Sequence, residues 1–226
     1  MNVDLHAGRK ESSSRVLIMT AVSAERDAVI RGLNGNDRFD VQLAGVGPAS
    51  AAARTMTALA AGKYDIVLSA GIAGGFTGKA EVGSIVVSSE IVAADLGSET
   101  AEGFISVDEL GFGSSRISVD DNLAARLTQA LRSAGLPVNT GKVLTVSTTT
   151  GTAATAAELA ARVPGAAAEA MEGYGVAFAA NEHGIPVLEI RSISNAVGPR
   201  DRSAWRIQEA LQALEATSSI LPEVFK

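Results

Sequence analysis

Two carboxylates, one guanidinium and one amide stand where a reactive site could form. Glu25 follows Thr20-Ala21-Val22-Ser23-Ala24, just past an apolar run over residues 15–20. A carboxylate there can orient and deprotonate a water aimed at an electron-poor carbon, and open α/β sheets hold their ligands beyond strand ends. The ordinary alternative is a helix N-terminal residue stabilised by exposed amides. Glu172, in Met171-Glu172-Gly173, falls in a small-residue segment over residues 167–181 that reads as helical. Burying it there is costly unless hydrogen-bond donors reach it, and the two hydroxyls of a ribose are suitable donors. The competing reading is a solvated helix face shared with Glu169, with Met171 packing rather than binding.

The run Arg191-Ser192-Ile193-Ser194-Asn195-Ala196-Val197-Gly198 carries alternating polar residues to the end of a strand-like stretch. Arg191 could neutralise a carboxylate or phosphate and help position water. Asn195 presents a donor and an acceptor together, which suits the edge of a heterocycle. Either residue could instead tie down a loop. Thr148-Thr149-Thr150 could line a polar pocket or simply end a strand.

Two glycine turns accompany these residues. Gly45-x-Gly47-x-x-Ser50 approaches a dinucleotide fingerprint but lacks the third glycine and a clearly placed acidic partner, which argues against a nicotinamide or flavin cofactor. Gly71-Ile72-Ala73-Gly74-Gly75 could bring backbone amides close to a sugar, a phosphate or a water. The structural alternative is a plain strand-to-helix turn. Neither turn ends in the Gly-Lys-Ser/Thr of a triphosphate loop. His6 lies near the N-terminus, His183 sits at an expected helix end, and the Asp spacing specifies no cage, so no metal site is expected.

The elements that must position these groups alternate along the chain. Strands are expected over residues 15–20, 39–44, 64–69, 84–88, 141–145 and 186–192, and helices over 26–33, 51–61, 121–133, 153–161, 167–181 and 203–217. Repeated strand, glycine turn and helix favours one α/β domain over residues 15–226, with helices on both faces of the sheet. Residues 1–14, with a Ser run and no apolar core, read as a flexible tail rather than a signal peptide. Strand order stays open between a doubly wound sheet and a mixed, partly barrel-like one, and residues 91–113 have the least certain path.

Composition narrows the function. A chain of 226 residues can bury a core without disulfides or a structural metal. The absence of cysteine excludes thiolate catalysis and is compatible with the cytoplasm. A net charge of -6 works against binding nucleic acid or an anionic membrane, and 4% aromatic residues offer no stacking platform for a strand of bases. The balance points to a compact small-molecule site.

Together, TAVSAE at residues 20–25, GVGPASAA at 45–52, SAGIAGGF at 69–76, AMEG at 170–173 and RSISNAVGPRDRSAW at 191–205 resemble the purine nucleoside phosphorylase/nucleosidase superfamily, most closely its futalosine hydrolase family. The last block is the most specific. The resemblance implies a three-layer αβα fold around a mixed sheet, a commonly dimeric or larger homo-oligomer, and cleavage of a nucleoside by water without cofactor or metal. It implies that Glu25 and Arg191 position the attacking water, that Gly71, Ile72, Ala73 and Gly74 run close to it, and that Glu172 binds the ribose hydroxyls beside Met171. Asn195 stands where related adenine-cleaving nucleosidases use Asp. An amide donates to the six-position oxygen of hypoxanthine and accepts from a protonated N7, so a 6-oxopurine nucleoside is the expected substrate. Arg200 or Arg202 could meet a distal carboxylate of that substrate. A methylthioadenosine/S-adenosylhomocysteine nucleosidase, a phosphorylase and a noncatalytic nucleoside-binding protein remain the alternatives.

Overall fold

The computed structural model describes residues 14–226. The expected flexible tail therefore falls, but for Ser14, outside the described residues, as does His6. The chain runs β1 (Val16–Thr20), α1 (Ser23–Leu33), β2 (Phe39–Leu43), α2 (Pro48–Ala61), β3 (Ile66–Gly75), β4 (Ile85–Ala93) and a small hairpin of β5 (Gly97–Thr100) and β6 (Gly103–Ser106). It continues through α3 (Val107–Leu110), β7 (Arg116–Ser118), α4 (Asp121–Ser133), β8 (Val138–Thr145) and α5 (Ala153–Arg162). The last elements are β9 (Ala166–Ala170), α6 (Gly173–Glu182), β10 (Val187–Ala196), a 3-10 turn (Arg202–Ala204) and α7 (Ile207–Val224).

The central sheet is mixed, and part of it closes on itself. Strand β10 pairs with both β3 and β4, so β3, β9, β8, β4 and β10 form a ring, from which β1 and β2 extend beyond β3. Of the two sheet orders left open by the sequence, the partly barrel-like one is the one found. All five residues of β1 are buried, as a strand covered on both faces requires, and this explains its unbroken apolar run. Helix α1 packs against α7, which also meets α4, while α2 packs against α6. In α4, buried Ala124, Leu127, Thr128 and Leu131 recur at helical spacing, and the Asp120 side chain accepts from the Leu123 amide at 2.9 Å to start the helix. No helix among the described residues is long and apolar enough to cross a membrane.

Two expectations are corrected. Residues 167–181 are not one helix: β9 takes Ala166–Ala170 and α6 starts at Gly173. The run Ala-Ala-Ala-Glu-Ala has high helix propensity, but it is wholly buried between β8 and β3, and sheet pairing overrides that preference. The second glycine cluster is not a turn either, because β3 continues through Gly75. None of Gly71, Gly74 and Gly75 has a positive φ. What these positions require is the absence of a side chain: a Cβ at Gly75 would lie 2.1 Å from the Ala80 carbonyl oxygen.

Candidate active site

Strands β1, β3 and β10 lie side by side and deliver the reactive groups to one end of the sheet. Glu25 sits in the first turn of α1, directly after β1, and is buried. Its Oε2 accepts from the amides of Ala21 (2.9 Å) and Val22 (3.2 Å), and its Oε1 accepts from the Ile72 amide (2.9 Å) on β3. The capping and site readings of Glu25 therefore describe one carboxylate, which caps its own helix while facing β3. Burial raises its pKa above the ordinary carboxylate value, against the opposing pull of the nearby Arg191 charge and of the backbone donors.

Arg191 projects from the middle of β10 and is 1% exposed. Its Nε donates to Glu189 Oε1 at 2.7 Å, an Nη2 to Ser69 Oγ at 3.2 Å, and an Nη1 to the Ile72 carbonyl at 3.4 Å. Glu172 Oε2 lies 3.5 Å from Nη2. Burial alone would disfavour the guanidinium charge, but Glu189, Glu172 and Glu25 surround it and hold its pKa above the ordinary arginine value. Gly71 supplies the room: a Cβ there would stand 2.5 Å from Glu25 Oε1 and 2.7 Å from Arg191 Nη1. Both groups meet over this glycine.

Glu172 lies at the junction of β9 and α6, as the residue preceding the helix, and not on an exposed helix face. Its Oε1 accepts from the Gly47 amide at 3.3 Å, which brings the first glycine turn to the site. Glu169 is separated from it altogether: it belongs to β9, is buried, and accepts from the Thr150 amide at 2.8 Å and from the Thr150 hydroxyl. His183 ends α6, with its Nδ1 3.0 Å from the Ala179 carbonyl. No group of three His, Asp or Glu side chains among the described residues could hold a metal.

A cavity of about 280 Å³ opens over these groups. Glu25, Ile72, Ala73, Gly74, Met171, Glu172 and Asn195 line it, together with Thr149, Thr150 and Glu169, and Arg200 and Trp205 stand at its rim. Gly71 lies beneath Glu25 and Arg191 and not on the cavity wall. Asn195 accepts from the Ser194 hydroxyl at 2.8 Å and donates to the Ala196 carbonyl at 2.9 Å. Arg200 and Arg202 both approach the Trp205 ring, with guanidinium carbons 5.1 and 5.7 Å from its centroid, but only Arg200 lines the cavity. A larger groove of about 660 Å³ runs along α4, away from the carboxylates.

Sequence reasoning missed Glu189. It is wholly buried, its amide donates to Ser88 Oγ at 3.0 Å, and its Oε2 has no hydrogen-bond partner. A Cβ at Gly173 would lie 2.1 Å from that oxygen, so the carboxylate occupies space a side chain on α6 would take. A signal was present: Glu189 and Arg191, two apart along one strand, must share a face.

Comparison with known proteins completes the picture. A family model described as the phosphorylase superfamily matches residues 19–224. The chain is 52% identical to the futalosine hydrolase of Streptomyces coelicolor, covering 92% of this chain and 95% of that protein. It is 48% identical to the futalosine hydrolase of Acidothermus cellulolyticus, covering 90% and 88%. The solved structure of futalosine hydrolase from Helicobacter pylori superposes with a TM-score of 0.79 at 17% identity, over 94% of this chain and 97% of that one, a likeness of fold.

Proposed function

The chain belongs to the phosphorylase superfamily, and from that premise we propose that it hydrolyses the N-glycosidic bond of futalosine, releasing hypoxanthine and dehypoxanthine futalosine in menaquinone biosynthesis. The identity of 52% across nearly the full length of a futalosine hydrolase carries the reading, and one cavity lined by Glu25 and Glu172, with Arg191 buried against them and not on its wall, supports it.

In the proposed reaction the C1′–N9 bond lengthens and its electron pair departs with hypoxanthine, leaving positive charge on the ribosyl unit. Three carboxylates around one guanidinium give the pocket a net negative charge when all are ionised, which stabilises that charge as it develops. Glu172 accepts from the ribose hydroxyls and fixes the sugar. Glu25, its pKa raised by burial and ionised when it acts, takes a proton from the water that bonds to C1′, and Arg191 orients that water with it. As electron density builds on the departing base, N7 takes a proton from solvent water; the amide of Asn195 donates to O6 and accepts from that N7–H, and being neutral it does not itself supply the proton. Arg200, at the rim, meets the carboxylate of futalosine. The acidic, cysteine-free composition supports a cytoplasmic setting, and exposed Phe112 and Phe178 support a homodimer or higher homo-oligomer.

A substrate panel tests the reading. Futalosine, inosine, methylthioadenosine and S-adenosylhomocysteine are incubated with and without phosphate, and products are identified by mass. Hypoxanthine release from futalosine, independent of phosphate, is expected. Preferential release of adenine, or a requirement for phosphate, overturns it.

A further inference from the structure

The proposed chemistry leaves one buried ionisable group of the cavity without a task. Glu169 is only 7% exposed and lines the cavity together with Thr149 and Thr150. Burial raises its pKa, against the opposing hydrogen bonds from Thr150. Isolating a carboxylate in this way is costly unless donors meet it, and Thr150 supplies two. A carboxylate has about four acceptor positions. Capacity for a ligand donor is left.

The register of the sheet says where that capacity points. Gly74 on β3 pairs with Asn195 on β10 and with Glu169 on β9, so the three residues form one rung across three adjacent strands. Residues on a rung project to the same face, and all three line the cavity. Two strand spacings, about 10 Å, separate the outer Cα atoms. The residue between them carries no side chain, and a Cβ there would lie 2.9 Å from Val197 Cγ2 and 3.3 Å from Asn195 Nδ2. A flat ring seated over Gly74 has Asn195 at one edge and Glu169 at the other.

We propose that Glu169 is a specificity-determining residue of the base site, its carboxylate accepting the N1–H of a 6-oxopurine whose O6 and N7 face Asn195. The inference rests on the 6-oxopurine reading above. Along the edge of hypoxanthine the groups run N7, O6, N1–H, and Asn195 answers only the first two. The third is a donor and needs an acceptor. In adenine the same position is a bare nitrogen with a lone pair, which would confront the carboxylate with a second acceptor. One group thus attracts the correct base and penalises the wrong one, as discrimination between near-isosteres requires.

Affinities for free hypoxanthine and free adenine, measured by calorimetry on the full chain, test this. Glu169→Gln keeps the shape and one acceptor oxygen but presents an amide that can donate to N1 of adenine. Hypoxanthine affinity is expected to fall about tenfold or more while adenine affinity holds or rises. If Glu169 serves only to hold the Thr150 loop, both affinities fall by the same factor; that result, or no change in either, overturns the proposal. Should Glu169→Gln fail to fold, Glu169→Asp reads the same ratio, since it keeps the charge but withdraws it by one methylene. An unchanged preference for hypoxanthine in that variant is equally fatal. The wild-type substrate panel separates the layers: hypoxanthine release with an unaltered base ratio in the variants removes Glu169 alone, whereas preferential adenine release removes the 6-oxopurine reading beneath it.

Discussion

Arg191 donates its Nε to Glu189 Oε1 at 2.7 Å, two residues back along the same strand, and the pair is sealed from solvent. The second oxygen of Glu189 has no partner and lies where a side chain on Gly173 would be. A buried charge left alone is far more costly than a buried pair is helpful, typically about 3–5 kcal/mol when one partner is removed. Glu189→Ala is therefore expected to lower the melting temperature by roughly 10 °C. Glu189→Gln, which keeps the shape, is expected to reduce kcat more than it raises KM, because Arg191 loses its fixed orientation. Calorimetric melting and steady-state kinetics on both variants check this, and wild-type melting with wild-type kcat would refute it.

Gly71→Ala asks whether Glu25 and Arg191 must meet over that glycine. A methyl group 2.5 Å from one and 2.7 Å from the other has to displace both. The expected result is a loss of kcat of about a hundredfold or more with the fold retained, since misplacing reacting groups by an ångström has that effect. Activity near wild type would mean that their spacing is not critical.

The raised pKa of Glu25 gives activity and stability opposite slopes. As a base Glu25 must be ionised, so kcat/KM is expected to rise with pH through a value above the ordinary 4.5. Stability runs the other way. The folded state binds this proton more tightly than the unfolded chain, so the contribution is full below 4.5 and is lost as pH climbs through the higher folded value. Glu25→Gln does not titrate. Its melting temperature is expected to gain on that of wild type as pH rises, while its turnover is very low at every pH. Parallel melting curves between pH 4 and 8 would contradict this assignment.

Asn195→Asp replaces the donor that we propose faces O6 with an acceptor. Leaving a buried polar group unpaired costs about 1–3 kcal/mol, so the preference for hypoxanthine over adenine nucleosides is expected to shift by about 5- to 150-fold toward adenine. Competition between futalosine and an adenine nucleoside, followed by the ratio of released bases, gives the number directly.

Arg200 lines the cavity at its rim, whereas Arg202, on the 3-10 turn, is not among its lining residues. Arg200→Ala is expected to raise KM for futalosine several-fold while leaving inosine, which has no distal carboxylate, nearly unchanged. Arg202→Ala is expected to affect neither substrate. Equal effects of the two variants would place the carboxylate elsewhere.

Much of this site is legible in the sequence because it rests on local patterns. Glu25 follows an unbroken apolar strand and opens a helix, and both facts are written within ten residues. The run from Arg191 to Trp205 is specific enough to carry the family resemblance. Glu172 could be singled out by its apolar surroundings, although its place at a strand-to-helix junction could not, because Ala-rich β9 has the local preference of a helix and is a strand only by virtue of its two neighbours.

The sequence by itself thus determined the reactive residue types, the α/β alternation and the superfamily. Only the tertiary structure decided that β10 closes a ring against both β3 and β4, that Glu189 grips Arg191 inside the space left by Gly173, and that Asn195, Gly74 and Glu169 share a rung. Lateral register is set by which strands pair and by the bulge between Ile193 and Asn195. Those are contacts between residues far apart in the chain, and local propensity carries no record of them.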